Sequence, residues 1–173
     1  MVDGVSGTGK TSVAVELQRR GHRVVHGDRQ LRYVGDPVTG APLPTPPVFP
    51  AASSRAEWVH RHLCWPVEVV EGIVGDEHQG LTFFCGGCRN AEHFLHLLDA
   101  VFVLTVDRET LVRRLEQRPA DEWAGRGRRV EQDLVLRLHR TEEDLPAGIR
   151  VDATRPLVRV VDDILSHCER PRA

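Results

Sequence analysis

Eight residues near the start of the chain, Gly4-Val5-Ser6-Gly7-Thr8-Gly9-Lys10-Thr11, satisfy the spacing G-x-x-x-x-G-K-[ST] at every position. Glycines at these points let successive backbone N–H groups turn inward around phosphate oxygens. A helix opening at Thr11 would add the positive end of its dipole to the same anion. Lys10 then has the reach to meet the β- and γ-phosphates of a nucleotide, and the Thr11 hydroxyl suits Mg²⁺. Gly4, Ser6, Gly7, Thr8, Gly9, Lys10, Thr11 and Ser12 are therefore the expected nucleotide contacts, with Thr11 on the metal. The alternative, a chance glycine-rich turn, fits poorly with an amphipathic helix that follows directly. Of 23 Lys plus Arg, Lys10 is the one lysine. A GC-rich coding background explains arginine elsewhere, but not why the survivor sits here. Other cationic work falls to arginine, which stays charged and prefers planar, bidentate contact with phosphate or carboxylate.

Three kinds of protein use such a loop: GTPases, ATPase machines and small-molecule kinases. A guanine-reading N-K-x-D motif needs a second lysine, and there is none. No D-x-x-G stands in a plausible switch position. An ATPase motor would carry an acid after a hydrophobic strand, whereas Leu81-Thr-Phe-Phe-Cys85 runs into Gly86-Gly87. Small kinases are the class left.

The elements that must hold these residues follow from apolar spacing. Thr11 to Arg20 reads as a helix through Val13, Ala14 and Leu17, stopped by Gly21. His22 to His26 reads as a strand ending at Gly27-Asp28, Leu81 to Cys85 as a buried strand, and Ala100 to Val106 as the clearest strand. Continuous apolar runs of that kind suit a parallel sheet covered on both faces. Helices are expected over Arg55 to Val74 with a break at Pro66, Ala91 to Leu98, Glu109 to Arg118 and Glu131 to Asp144. A last strand at Ile149 to Val151 precedes a helix starting near Pro156, with an apolar stripe from Leu157 to Leu165. Six prolines between Asp36 and Ser54 argue against regular structure there. Only Met1, Val2 and Asp3 precede the glycine loop where a central strand belongs. That strand is either very short or starts upstream, and the second is the expectation. Alternating strands and helices imply one three-layer α/β domain over residues 1–173.

At this point the chain resembles the nucleoside/nucleotide kinase and shikimate kinase branch of P-loop proteins, including small bacterial proteins labelled AAA family ATPases. The resemblance rests on the loop Gly4 to Thr11, the strand end His26-Gly27-Asp28, Cys85-Gly86-Gly87 with Arg89, Arg114-x-x-x-Arg118, and Asp152-Ala153-Thr154-Arg155-Pro156. It implies a P-loop NTPase fold with an acceptor-binding helical insert at 36–75 and a lid at 119–129. It implies ATP and Mg²⁺ as cofactors. Asp28 would bind the acceptor hydroxyl or assist the metal, and Arg89, Gly86 and Gly87 would contact the acceptor. Arg114 and Arg118, four apart on one helical face, would clamp phosphates or stack on adenine, and Arg126 would be the second catalytic cation, with Arg128 or Arg129 as alternatives. Asp152, Thr154 and Pro156 would wall the adenine. The expected reaction moves the ATP γ-phosphate to a small-molecule acceptor, first a nucleoside or nucleotide. Alternatives are a shikimate-like or antibiotic kinase, or a regulatory ATPase that is not a kinase.

Composition bounds the rest. The length of 173 residues suits one domain, and a formal net charge of −2 makes no case for a nucleic-acid groove or an anionic membrane. No apolar run is long enough to span a bilayer, and the first residues carry no secretory pattern. Four cysteines in such a chain suggest reduced thiols, so a cytoplasmic protein working as a monomer or weak homodimer is expected. Cys85-x-x-Cys88 followed by His93 and His96 invites a zinc or redox reading. Its first cysteine lies in an apolar strand and its histidines among leucines, which weakens that reading. His60 and His62 could line the acceptor site, but residues two apart on a helix point to different sides.

Overall fold

A computed structural model describes residues 1–44, 47–76, 80–119, 123 and 128–168. The chain runs β1 (Val2–Asp3), α1 (Lys10–Arg19), β2 (Arg23–His26), α2 (Gly27–Gln30), β3 (Tyr33–Val34), α3 (Ala52–Arg61), β4 (Leu63–Cys64) and α4 (Val67–Val74). It continues through β5 (Thr82–Cys85), two 3₁₀ turns (Ala91–His93 and Leu95–Leu97), β6 (Phe102–Thr105), α5 (Arg108–Glu116), α6 (Arg128–Thr141), β7 (Ile149–Asp152) and α7 (Leu157–Cys168).

Five strands make one parallel sheet in the order β2-β5-β1-β6-β7. The short β1 is its centre, with Val2 in register with Cys85 on one side and Phe102 on the other. Side chains alternate across a strand, so neighbouring apolar residues feed opposite cores. Val24 and Phe83 join Leu17 of α1, Leu111 of α5, Leu138 of α6 and Ile164 of α7. Val25 and Phe84 join Trp65, Val70 of α4 and Phe94 on the other face. The continuous apolar runs are thus read correctly as strands covered on both sides. The C-terminal ends of the strands all point one way, towards the glycine loop and Asp28.

Pro66 does separate two helices, and it precedes the first turn of α4, where a missing N–H costs nothing. Between them the chain adds something periodicity did not indicate: β4 pairs antiparallel with β3, Tyr33 opposite Cys64. The proline-rich stretch is partly organised by hydrogen bonds instead of repeats. Gly35 and Pro42 form an isolated bridge, and the Asp36 carboxylate accepts the N–H groups of Val38 and Thr39. Those two bonds hold its carboxyl below the usual range. The helix expected over Ala91 to Leu98 is two 3₁₀ turns. Phe94, at φ −135°, breaks the helical path and lays its ring parallel to Trp65 at 5.9 Å. Helix α6 starts at Arg128 and ends at Thr141, three residues earlier at each end than expected.

Candidate active site

The loop after β1 wraps the N-terminus of α1. Gly7 and Gly9 take φ 92° and 108°, the left-handed region that favours glycine, and a side chain on Gly7 would meet Leu111 at 2.9 Å. Thr8 closes the turn by donating its hydroxyl to Val5 O at 2.8 Å. Lys10 Nζ donates to the carbonyls of Gly4 and Val5. Its ammonium is therefore folded over the loop that the sequence marks for phosphate.

Two arginines of the α5 end frame this loop. Arg114 donates to Thr8 O at 2.9 Å and to Ala153 O at 2.8 Å, tying the glycine loop to the turn after β7. Arg118 donates to Ser6 Oγ at 2.9 Å, and its guanidinium lies 4.8 Å from the Trp123 ring centre. Arg128 approaches the same ring at 5.7 Å. A cavity of about 500 Å³ runs between the loop, Arg114, Arg118 and the turn after β7. That turn contributes Ala153, Arg155 and Leu157 to the cavity. Asp152 instead accepts the N–H and hydroxyl of Thr154, which shapes the turn and holds its carboxyl low. Arg126, and with it most of the lid expected at 119–129, lies outside the described residues.

A second cavity, about 700 Å³, opens on the other side of Lys10, Thr11 and Asp28. Asp28 is exposed in the first turn of α2 and borders both spaces. Its position is set from below. A Cβ on Gly27 would lie 1.9 Å from the Trp65 indole, and one on Gly86 would lie 2.9 Å from Asp28 Oδ1 and 3.0 Å from the same indole. Two glycines therefore let the Asp28 turn and the end of β5 close over one fully buried tryptophan.

Arg89 lines the second cavity, but its charge is shared. It donates to Asp144 Oδ1 at 2.9 Å and to Asp144 O at 3.1 Å, while His60 Nε2 meets Asp144 Oδ2. Burial pushes the Asp144 carboxyl up, yet His60 and Arg89 outweigh it and hold it at about 2. Arg89 Nε is buried without a hydrogen-bond partner among the described residues. Gly87 also lines this cavity, and Gly86 packs beside it.

Several lining residues escaped sequence reading: Asp3, Arg29, Arg32 and Asp144, while His60 was named there and set aside. Arg29 and Arg32 are exposed there and have no carboxylate partner among the described residues. His60 and His62 do point apart, and it is His60 that faces the cavity, while His62 stacks on Trp58 at 4.3 Å. An acid beside the first loop glycine, inside an apolar strand, was the visible signal for Asp3. Arg29 and Arg32, flanking the strand end, carried only a weak one.

The Cys85, Cys88, His93 and His96 spacing does not become a centre. Among the described residues no group of three or more His, Cys, Asp or Glu side chains converges to hold a metal. Cys85 and Cys88 are buried; burial pushes the Cys85 thiol up to about 12 and the Cys88 thiol up as well, so both stay protonated and poorly nucleophilic. Among the described residues no helix is long and apolar enough to cross a membrane.

No protein-family model matches the chain, and no curated protein matches it. Solved structures do. An unliganded sugar kinase from Janibacter sp. HTCC2649 is 20% identical, with 95% of this chain and 90% of that chain covered and a TM-score of 0.50. An uncharacterised protein from Eubacterium ventriosum ATCC 27560 is 11% identical over 96% and 94% of the two chains, with a TM-score of 0.52. These are likenesses of fold. The five-stranded parallel sheet flanked by helices matches the P-loop kinase fold.

Proposed function

We propose that this chain is an ATP- and Mg²⁺-dependent phosphotransferase acting on a small-molecule acceptor. The observation that carries the reading is that the phosphate-loop cavity and the second cavity meet at Lys10, Thr11, Ser12, Asp28 and Arg118. A nucleotide on one side and an acceptor on the other would face each other across those residues. Thr11 and Asp28 fit a metal: both side chains are exposed to the shared space and neither is engaged in a hydrogen bond among the described residues. Bound there, Mg²⁺ would neutralise charge on the β- and γ-phosphates.

The chain's own groups then have separate tasks. Lys10 exchanges two carbonyl partners for phosphate oxygens. Arg118, one hydrogen bond from Ser6, supplies planar donors to the transferring group, and Arg114 keeps the loop and the adenine-side turn in register. Asp28 accepts the proton of the acceptor hydroxyl as its oxygen bonds to the γ-phosphorus and the bond to the bridging oxygen breaks, leaving ADP. Positioning and charge neutralisation supply most of the rate in such transfers.

A nucleoside or nucleotide is the acceptor that the sequence suggests first. The lining favours a different one. His60 is the only ring among the described residues around the second cavity, so a base has little to stack on. Arg29 and Arg32 offer hydrogen bonds and positive charge instead. A small polyhydroxylated acceptor bearing a carboxylate or phosphate fits better. The test is ADP release with ATP, Mg²⁺ and a panel of sugar acids, sugar phosphates, shikimate-like acids and nucleosides. Acceptor-dependent release is expected, strongest with an anionic polyol and lost in Lys10→Ala, whose melting temperature should be nearly unchanged. Hydrolysis that ignores every acceptor would instead favour a regulatory ATPase.

A further inference from the structure

P-loop phosphoryl transfer ordinarily sets a second acid beside the loop Ser/Thr to hold the metal. Strand β5, next to β1, brings none: it ends Cys85-Gly86-Gly87. The space beside that strand end is nevertheless filled by a carboxylate. A Cβ on Gly87 would stand 2.6 Å from Asp3 Oδ1 and 3.2 Å from both Cγ and Oδ2. Position 87 must be glycine for Asp3 to lie where it does.

Asp3 is an odd residue for its surroundings. It occupies the central strand, is 3% exposed, and follows the fully buried Val2. Among the described residues its one side-chain hydrogen bond accepts Gly4 N–H at 2.6 Å. An uncharged Asn or Ser could accept that N–H without the desolvation a carboxylate suffers. Burial pushes its carboxyl up and Asp28 pushes the same way, while Lys10, the Gly4 N–H and Arg89 pull it down. Lys10, Arg89 and Asp28 are the charged groups that act on Asp3, and it borders the same cavity as Lys10, Thr11 and Asp28.

We propose that Asp3, carried by β1 instead of β5, is the second acid of the nucleotide site, a positioning residue that with Asp28 orients the Mg²⁺ shell of bound ATP opposite Thr11. The inference rests on the metal-nucleotide reading given above. It requires a glycine-ended β5, since a side chain at 87 and a carboxylate at 3 exclude each other.

The experiment measures binding, not turnover. Isothermal titration of ATP into the native chain, with Mg²⁺ or with EDTA, gives the factor by which metal tightens the nucleotide. A gain of tenfold or more is expected. Asp3→Asn keeps the size and the Gly4 acceptor; its gain should fall to within threefold, with metal-free affinity within twofold of native. The double variant Asp3→Ala with Gly87→Asp returns the acid from β5 and should recover most of the gain. If Asp3→Asn retains the native gain, or does not fold, Asp3 is a structural acid and the inference falls. A folded double variant with no recovered gain overturns it equally. A native chain with no metal gain at all would sink the Thr11–Asp28 metal assignment as well, which separates the two failures.

Discussion

Asp28 stands where β2 turns into α2, exposed between both cavities, with its carboxylate free of hydrogen bonds among the described residues. Such a group can take a proton without first breaking a bond to the protein. If it serves the acceptor hydroxyl, Asp28→Asn should lower kcat by about 10²- to 10³-fold, while ATP affinity titrated without metal changes less than threefold. The reverse pattern would move Asp28 to the nucleotide side. Residues whose placement follows from local spacing were legible in the sequence. Lys10, Thr11 and Asp28 lie in the loop or at a strand end, and the structure brings them together. The contact of Asp144 with His60 was not legible, because it joins positions 84 residues apart and no local pattern encodes it. Asp152 and Thr154 show a third case: the right turn was read, but the residues between and after them line the cavity.

Trp65 acts at the scale of elements. Its fully buried indole lies in the short segment between α3 and α4, stacks on Phe94, and supports both Gly27 and Gly86. Asn90 fixes its backbone from both sides, accepting Trp65 N–H at 2.9 Å and donating to Trp65 O at 2.8 Å. Truncation to alanine leaves a cavity beneath the Asp28 turn, so Trp65→Ala should cost about 3–5 kcal/mol in urea unfolding. If Asp28 has the proposed role, any surviving folded protein should lose turnover through its loosening. The boundaries of α1, α5 and α7 were legible because each carries an apolar stripe, as were those of the sheet strands with their unbroken apolar runs, whereas α6 lies three residues earlier than expected. The β3–β4 pair was not. Each strand is two residues long, too short for alternation to show, and its partner lies beyond the proline-rich segment.

Across the whole molecule, α3 joins the rest of the chain through charge. His60 and Arg89 converge on Asp144 beyond the end of α6, and Arg137 of α6 meets Glu57 of α3 at 3.4 Å. The Asp144 carboxyl is held at about 2 against an ordinary 3.8, so it binds protons less readily folded than unfolded. Its stabilising effect is complete above the unfolded value and is lost as pH falls through about 4 towards 2. Asp144 is about three-quarters buried, and its partners are partly solvated, so the effect is of order 1–2 kcal/mol. Asp144→Asn should therefore lower stability by that amount at pH 7, and the difference from the native chain should shrink between pH 4 and pH 2 in chemical denaturation. The sheet itself was legible at this scale, because alternating apolar strands and helices admit few other arrangements. The way α3 closes one side of the second cavity was not, since it depends on ion pairs between segments far apart in sequence.

The stack of Arg118 on Trp123 has an optical consequence. A cation 4.8 Å from a buried indole sets the electric field in which that chromophore emits. The same guanidinium is one hydrogen bond from Ser6 in the phosphate loop. A phosphate that draws Arg118 off the ring would alter both the wavelength and the yield of tryptophan emission. If the proposed nucleotide site is right, the chain carries an intrinsic fluorophore wired to it, and occupancy would be readable in real time without attaching a label.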